Sequence, residues 1–278
     1  MRKKNILLSC VICLMIVFSN SNVYASAIAA SGALLDWGSF IYEGIDLELD
    51  ILGAESESLA WAWDDWDVDF NSELIDSWED TEAWAEVDYA LGVAITTDEL
   101  IAEGTYAEAD GTDNGLAFAW AAAGRGAYFE ALEDGTLNLS IDYYYLQILE
   151  TDDVGDYAYA WSAAGLELDN TDDGFDEDVT VFENEVSDGD SFGDFDFDDF
   201  DDFLDLDLDD LDLEGGTLTV SAEFETGDYG EFFAWVENEA IACYGGACEE
   251  VVPEPASLSL LGIGLLGLFG ARKKRRRG

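Results

Sequence analysis

The sequence predicts an all-β body, built as a β-sandwich or a jelly-roll-like double sheet. Three observations support this prediction. Apolar residues alternate with small or polar residues at period two in many short runs, which is typical of strands with two different faces. Gly and Asp turn signals stand beside these runs. A helical period occurs only ambiguously, at 34–52, and many short strands with polar turns favour two packed sheets.

The clearest strand pattern is an alternation of large aromatic residues with Ala. On a strand, this alternation puts the rings on one face and the small residues on the other. Aromatic rings at period two normally fill a sandwich interior, so we predict that the rings form the core. The alternative is that tryptophans stack on sugar rings at the surface, with Trp61, Trp63, Trp66, Trp78 and Trp84 as the candidates. The alternating runs are 59–63, 83–89, 116–120, 157–161 and 232–236, and further strands are predicted at 136–148 and 217–224.

Two of these runs resemble each other over ten residues. Gly115–Gly124 and Asp156–Gly165 both end in the pattern aromatic-Ala-Trp-x-Ala-Ala-Gly. The similarity indicates either an internal repeat or independent convergence on a favoured strand composition, and the sequence leaves both interpretations open.

The segment 169–214 differs in composition from the rest of the body. Its centre, 194–213, alternates Asp with Phe and Leu almost without interruption. In an extended segment these aspartates would crowd one face. Like charges on neighbouring strands destabilise a sheet, and Asp is a poor strand former. We therefore predict an acidic, partly ordered insertion, either a loop or an edge segment, that depends on cations for its order.

The chain is strongly acidic, with 64 acidic and 10 basic residues and a formal net charge of −54. Nine basic residues lie at 2–4 and 272–277, so 28–252 holds 63 acidic residues and Arg125 as its one cation, a formal charge of −62. Such a body does not bind nucleic acid, whose phosphates require Lys and Arg, and its self-repulsion calls for counter-ions. A cation-binding matrix role and adaptation to a saline habitat both explain this charge.

The sequence shows no recognisable set of catalytic residues. The chain has no His, which excludes a nucleophile activated through imidazole, and among 63 carboxyls a pair suited to glycoside hydrolysis arises by chance. A partial calcium-loop match begins at Asp169, with Asp172 and Asp173 as further ligands, but Thr180 stands where an EF-hand loop needs Glu. We predict a non-catalytic protein with no cofactor beyond weakly bound Ca²⁺ or Mg²⁺; a secreted carbohydrate-binding module or a secreted hydrolase is the alternative.

The first 27 residues predict a secretory signal peptide. A basic start precedes an apolar run at 6–18, and small residues follow, with cleavage after Ala25 or Ala27. The run is shorter than the ~17 apolar residues of a spanning helix, which argues against a retained anchor. Export implies the Sec machinery and an oxidising compartment, in which Cys243 and Cys248 are predicted to form a disulfide.

The last residues combine three parts in a fixed order. Val252, Pro253, Glu254 and Pro255 come first, and an apolar, Gly-punctuated segment at 256–271 follows, which we predict to be a transmembrane helix. A basic end at 272–278 closes the chain. Cations beside an apolar segment stay on the cytoplasmic side, so the body lies outside the inner membrane. The basic residues are Arg272, Lys273, Lys274, Arg275, Arg276 and Arg277.

This arrangement resembles the PEP-CTERM sorting signal of bacteria that make exopolysaccharide. The resemblance covers about the last 26 residues and says nothing about the fold of the body. It implies that a membrane-embedded exosortase recognises the tail and removes it at or near Pro-Glu-Pro, which releases the body toward the surface. A plain single-pass anchor is the alternative, although the 16 residues at 256–271 are marginal for permanent residence in a bilayer.

The sequence therefore predicts three regions: a signal peptide at 1–27, an acidic β-rich extracellular body at 28–250 and a sorting tail at 251–278. We predict an exported, non-catalytic cell-surface or extracellular-matrix protein that associates with exopolysaccharide in a biofilm. Its predicted partners are the Sec machinery, an exosortase and the polysaccharide. Its contact with the membrane is confined to the tail and ends with processing.

Overall fold

The computed structural model describes residues 27–62, 67–75, 77, 79–87, 89–109, 115–151, 156–171, 176–187 and 214–244. These residues form strands and turns, and no helix occurs among them. The prediction of an all-β body is confirmed. The strands are β1 (Ala27–Glu43), β2 (Leu47–Ala62), β3 (Asp67–Ile75), β4 (Thr81–Val87), β5 (Ala90–Thr96), β6 (Leu100–Ala109), β7 (Leu116–Ala131), β8 (Gly135–Thr151), β9 (Tyr157–Asn170), β10 (Asp176–Ser187), β11 (Glu214–Phe224) and β12 (Tyr229–Cys243).

The strands form two six-stranded antiparallel sheets. Sheet A has the order β11-β8-β1-β6-β5-β4, and sheet B has the order β10-β9-β12-β7-β2-β3. The sheets pack face to face, because residues from both sheets share the same buried clusters. The predicted double-sheet sandwich is therefore confirmed for the described part of the chain. The predicted signal helix and transmembrane helix lie outside the described residues.

Residues 34–43 belong to β1 and residues 47–52 to β2, with a turn between them, so the helical interpretation of this stretch was wrong. The two strands are joined at Gly44, whose φ of 118° lies in the left-handed region. A Cβ at this position would collide with the carbonyl oxygen of Thr136, so the turn requires glycine. The pairing of β1 with β8 also shifts register between Asp36 and Ile41. The turn and the shift interrupt the two-residue alternation, which explains the ambiguous period.

Alanine side chains fill the space between the sheets at one end of the sandwich. They come from strands of both sheets, and we call them the alanine layer. The prediction that the aromatic face of the alternating strands forms the core was wrong at this end, because the rings lie on the outer faces. Short side chains on both sheets leave no room for rings between them. The layer comprises Ala27, Ala29, Ala60, Ala85, Ala90, Ala107, Ala109, Ala117, Ala119, Ala158, Ala160, Ala240 and Ala242, together with Leu149.

Large side chains fill the interior at the opposite end. Phe129 packs edge-on against Phe224 with 5.2 Å between ring centroids, and Trp37 stacks on Phe40 at 4.7 Å. Arg125 points into the same interior and is only 1% exposed. Its guanidinium carbon lies 5.3 Å from the centroid of the Trp37 ring, within the range of a cation–π contact. The one cation of the body is therefore a core residue.

A belt of polar side chains crosses the interior between these two ends. The hydroxyl of Ser31 on β1 lies 2.7 Å from that of Ser162 on β9 and donates to Asn238 Oδ1 on β12 at 2.8 Å. Nearer the edge, Asn184 Nδ2 donates to Gln147 Oε1, and Gln147 Nε2 donates to the carbonyl oxygen of Asn184, both at 2.9 Å. These directional bonds join the two sheets and favour one alignment between them.

Glu103 lies beside this belt on the inner face of β6 and is 2% exposed. Neither of its carboxyl oxygens has a hydrogen-bond partner among the described residues, and the same holds for the hydroxyls of Ser58 and Thr105. Burial raises the pKa of Glu103 well above its ordinary value, and Glu237 adds to the shift. The nearby backbone N–H of Asn238 opposes part of this rise in the pKa.

Side chains of β3 cap the open edge of β4. The side chains of three alternate residues of β3 form hydrogen bonds with the backbone of three alternate residues of β4. A further strand could otherwise pair with these backbone groups. Capping of this kind protects a sheet edge from pairing with another chain. The contacts are Glu82 N to Glu73 Oε2 at 2.9 Å, Glu86 N to Asp69 Oδ2 at 3.1 Å and Asn71 Nδ2 to Trp84 O at 3.3 Å.

Strands extend into both margins of the Asp-rich segment predicted at 169–214. Its first two residues end β9, Asp176–Ser187 forms the edge strand β10, and Glu214 begins β11. Phe182 connects β10 to sheet A, since the centroid of its ring lies 4.5 Å from that of Tyr143. An edge strand at Asp176–Ser187 agrees with the predicted alternative of an edge segment. Residues 188–213 lie outside the described residues.

Both ends of the body lie at the same end of the sandwich. Ala27 is the first residue of β1, and Ala242 is the last but one of β12; both belong to the alanine layer. The chain segments that precede β1 and follow β12 therefore join the sandwich at the alanine end.

Candidate functional site

A strip of apolar and aromatic residues crosses the outer face of sheet B. Neighbours in the pairing register run from Val181 on β10 through Trp235 on β12 to Leu74 on β3. Val179 and Phe233 widen this line in the next row. Six strands about 4.8 Å apart make the strip about 24 Å long. We call these five residues, with Glu55, Glu167 and the glycines that lie between them in the two rows, the aromatic strip.

The ends of the aromatic strip are open to solvent. Val179 and Val181 are 44% and 41% exposed at one edge of the sheet, and Leu74 is 46% exposed at the other. Trp235 and Phe233 between them are half-buried. Exposed apolar side chains at both edges of the same face, on so charged a body, make this face a candidate interaction site.

Glycines let the two rings lie close to the sheet. The indole of Trp235 occupies the space into which a Cβ of Gly165 would project, and the ring of Phe233 does the same above Gly124. The indole N–H of Trp235 donates to Glu167 Oε1 at 2.7 Å, which fixes the orientation of the ring. The rings are thus held in place by the backbone below them and by one hydrogen bond.

Carboxylates border the aromatic strip on both long sides. Glu183, Glu237 and Glu57 lie in the row on one side, and Asp169 and Glu231 lie beyond the Phe233 row on the other. These groups accept hydrogen bonds when ionised and carry no donor. No basic side chain adjoins them, because the one cation of the body is buried.

Burial weakens the acidity of several of these carboxyls. It raises the pKa of Glu55, which lies within the strip, to about 7, and neighbouring Glu57 adds to the shift. Burial also raises the pKa of Glu57 and of Glu237. Glu237 accepts a hydrogen bond from the indole N–H of Trp120 at 2.8 Å, which offsets part of its shift. Near neutral pH, Glu55 is therefore partly protonated and can donate as well as accept.

The two similar runs of the sequence occupy equivalent positions in sheet B. They form the beginnings of β7 and β9, the strands on either side of β12. Trp120 of one run and Trp161 of the other both pair with Glu239 of β12. The similarity thus corresponds to matching positions around one central strand.

The predicted calcium ligands are only partly described. Asp169 lies near the end of β9 and pairs with Glu231 of β12, whereas Asp172 and Asp173 lie outside the described residues. In the described ranges, no group of three or more acidic or Cys side chains is placed to hold a metal ion.

Of the residues predicted for signal cleavage, sorting and the disulfide, the structure describes two. Ala27 is 1% exposed and pairs with both β6 and β8. Cys243 is buried at the last position of β12. Ala25, Cys248, the residues at 252–255 and the basic end at 272–277 lie outside the described residues, as do Trp63, Trp66 and Trp78.

Across the ranges that the structure describes, the chain forms no helix able to span a membrane. The decisive observation comes from the end of the chain. Residues 251–276 match the model of the PEP-CTERM protein-sorting motif. The chain carries a PEP-CTERM tail. The predicted resemblance is confirmed, and the motif supports an exported protein that an exosortase sorts. No curated protein and no solved structure matches the chain.

The aromatic strip was missed in the sequence. The available signal was the spacing of Gly124 and Gly126 beside one aromatic run and of Gly165 beside another. Glycine inside a strand often marks a place where another group approaches the backbone closely. The sequence could not show that rings of β12 would occupy these places, since that depends on strand order.

Proposed function

We propose that the protein is a non-catalytic component of the cell surface or extracellular matrix, sorted by its PEP-CTERM tail and associated with exopolysaccharide. The observation that carries this proposal is the match of the tail, in which Pro-Glu-Pro, an apolar segment and a basic end follow in order. In this proposal, the Sec machinery exports the chain, an exosortase removes the tail, and the acidic body remains at the surface.

The geometry of the body supports delivery from a membrane. The segments before β1 and after β12 join the sandwich at the alanine layer, so a signal peptide and a sorting tail would hold the body by one end. The opposite end would then face away from the membrane. Its turns carry Asp46, Glu133, Asp134, Glu225 and Asp228.

The structure of β1 favours cleavage of the signal peptide after Ala25. Ala27 is buried in the alanine layer and pairs with strands on both sides. Cleavage after Ala27 would remove these contacts, whereas cleavage after Ala25 leaves the strand complete. The mature protein in this proposal begins at Ser26.

The charge of the body supports a place outside the cell. A surface without a basic side chain needs counter-ions to limit self-repulsion, and a cation-rich surrounding supplies them. Weak binding of Ca²⁺ or Mg²⁺ is part of this proposal, and a saline habitat would meet the same need.

Replacing Pro253, Glu254 and Pro255 by alanines should stop delivery to the surface. The exosortase would no longer recognise the tail, so we expect nearly all of the protein in the membrane fraction, with a mass that includes residues 256–278. Cell fractionation with immunoblotting measures both properties.

The matched control replaces Ser257 and Ser259 by alanines, which leaves all three parts of the tail in place. We expect the control protein to mature as the unaltered chain does. Surface delivery of the Pro253, Glu254 and Pro255 variant at the normal mass would refute the sorting proposal.

A further inference from the structure

We propose that the aromatic strip binds an uncharged polysaccharide chain, with Phe233 and Trp235 stacking on sugar rings and the bordering carboxyls bonding to sugar hydroxyls. This inference rests on the proposed association with exopolysaccharide and names the surface and the chemical class of the ligand.

The shape of the strip fits an extended polymer. It runs about 24 Å across six strands and has exposed apolar residues at both ends, Val181 and Leu74. A polymer can therefore enter and leave the site without a change in the fold. Between the ends, little projects above the sheet. Gly124 and Gly165 carry no side chain, and the rings of Phe233 and Trp235 lie over these glycines.

The rings are prepared for stacking before a ligand arrives. Trp235 is held by its hydrogen bond to Glu167 and by the backbone of Gly165. A fixed ring loses little conformational entropy on binding, which is the general advantage of a preorganised site. Sugar rings present C–H groups on their faces, and these groups pack on the electron-rich face of an aromatic ring.

The polar groups beside the strip complement hydroxyls. Glu183 on one side and Glu231 on the other can accept hydrogen bonds from sugar hydroxyls, which are donors. Glu55, partly protonated near neutral pH, can also donate. A chain of hydroxyl-bearing rings matches an apolar line with acceptors along both sides.

The same carboxyls discriminate by charge. An anionic polysaccharide would meet like charges on both sides of the strip, and contacts between like charges oppose binding at an interface. A polycation would be attracted to the whole acidic surface and would not need the rings. For an uncharged chain, charge contributes little to binding, so the contacts with Phe233 and Trp235 determine the affinity.

The test measures binding of the mature protein, isolated from cells, to four probes. These are hydroxyethylcellulose, galactomannan, the neutral fraction of the producing cells' own exopolysaccharide, and anionic alginate as the charge control. Affinity electrophoresis at two salt concentrations gives the retardation by each probe. We expect retardation by at least one neutral probe, little change with salt, and none with alginate.

Trp235→Ala should weaken binding to the neutral probe about tenfold or more, as for a central aromatic contact. The matched control is Tyr144→Ala, which removes a half-buried aromatic side chain from the outer face of sheet A and should leave binding unchanged. Val181→Glu adds a charge at an exposed end of the strip and should also weaken binding. This variant keeps the test decisive if Trp235→Ala does not fold, and circular dichroism monitors the fold of each variant.

Three results would overturn the inference: no retardation by any neutral probe, equal losses for Trp235→Ala and Tyr144→Ala, or full binding by a folded Val181→Glu variant. Measuring whether the Trp235→Ala variant reaches the surface distinguishes a failure of this inference from a failure of the sorting proposal. We expect that variant to be sorted normally, so a loss of polysaccharide binding leaves the sorting proposal standing.

Discussion

Replacing Arg125 with Ala should lower the free energy of unfolding by about 3–5 kcal/mol, as for the loss of a large buried side chain. Arg125 is 1% exposed and lies 5.3 Å from the ring centroid of Trp37. Truncation leaves a cavity beside that ring. It also removes the positive charge that interacts with Asp80 and Asp98. Burial lowers the pKa of Arg125, and these two carboxylates oppose that lowering. Urea unfolding followed by tryptophan fluorescence measures the loss.

Arg125→Met is the control for volume, because it keeps most of the buried side chain and removes the charge. Buried ions can often be replaced by apolar groups of similar volume at little cost. We expect Arg125→Met to lose less than half of what Arg125→Ala loses. An Arg125→Ala variant as stable as the unaltered protein would show that the residue does not lie in the core.

Glu103→Gln should stabilise the body increasingly as the pH rises above about 5. Burial raises the pKa of Glu103 above its ordinary 4.5 in the folded state, so the folded protein binds a proton that the unfolded chain releases. The stability that this carboxyl contributes is present below pH 4.5 and is lost as the pH rises toward the raised pKa. Each pH unit in this window costs about 1.4 kcal/mol, and the uncharged amide avoids this cost.

Melting temperatures of both proteins from pH 5 to pH 8 test this expectation. The two curves should meet near pH 5 and separate at higher pH, with Glu103→Gln the more stable. Glu99→Gln, a change at an exposed turn, is the control for the loss of one charge and should follow the unaltered protein. Parallel curves for Glu103→Gln and the unaltered protein would mean that Glu103 is not a buried carboxyl.

The alternating runs were sufficient to predict the strands but not their orientation. Ala117 and Ala119 alternate with Phe118 and Trp120 in β7, and the pattern alone predicts two different faces. Rings fill most sandwich interiors, so the ring face was taken as the core. The choice depends on the facing strands, and here those strands also present alanine, as Ala27 and the rest of the alanine layer do.

Arg125 and Glu103 show a second limit of the sequence. A charged residue within an apolar strand pattern is normally placed on the outer face, because its burial is costly. Trp37 is distant from Arg125 in sequence, and nothing in the sequence indicates that its ring covers the guanidinium. Glu103 is one of 64 acidic residues, and only the packing of the two sheets shows that it is buried.

The PEP-CTERM tail was predictable because it depends on local order and not on strand pairing. Its motif, apolar segment and basic end are adjacent in the sequence, so no tertiary contact is needed to recognise them. The aromatic strip is the opposite case. Trp235, Gly165 and Gly124 lie on three strands and meet only when the sheet forms.

The intact mass of the protein extracted from the cell surface tests the proposed sorting most directly. With cleavage after Ala25 and at or near Pro253–Pro255, the mature chain begins at Ser26 and has lost all six basic residues of the tail. Peptide sequencing of both ends identifies the termini. We expect a mass that corresponds to such a chain. A surface protein that retains residues 256–277 would contradict removal of the tail and identify the segment as a permanent anchor.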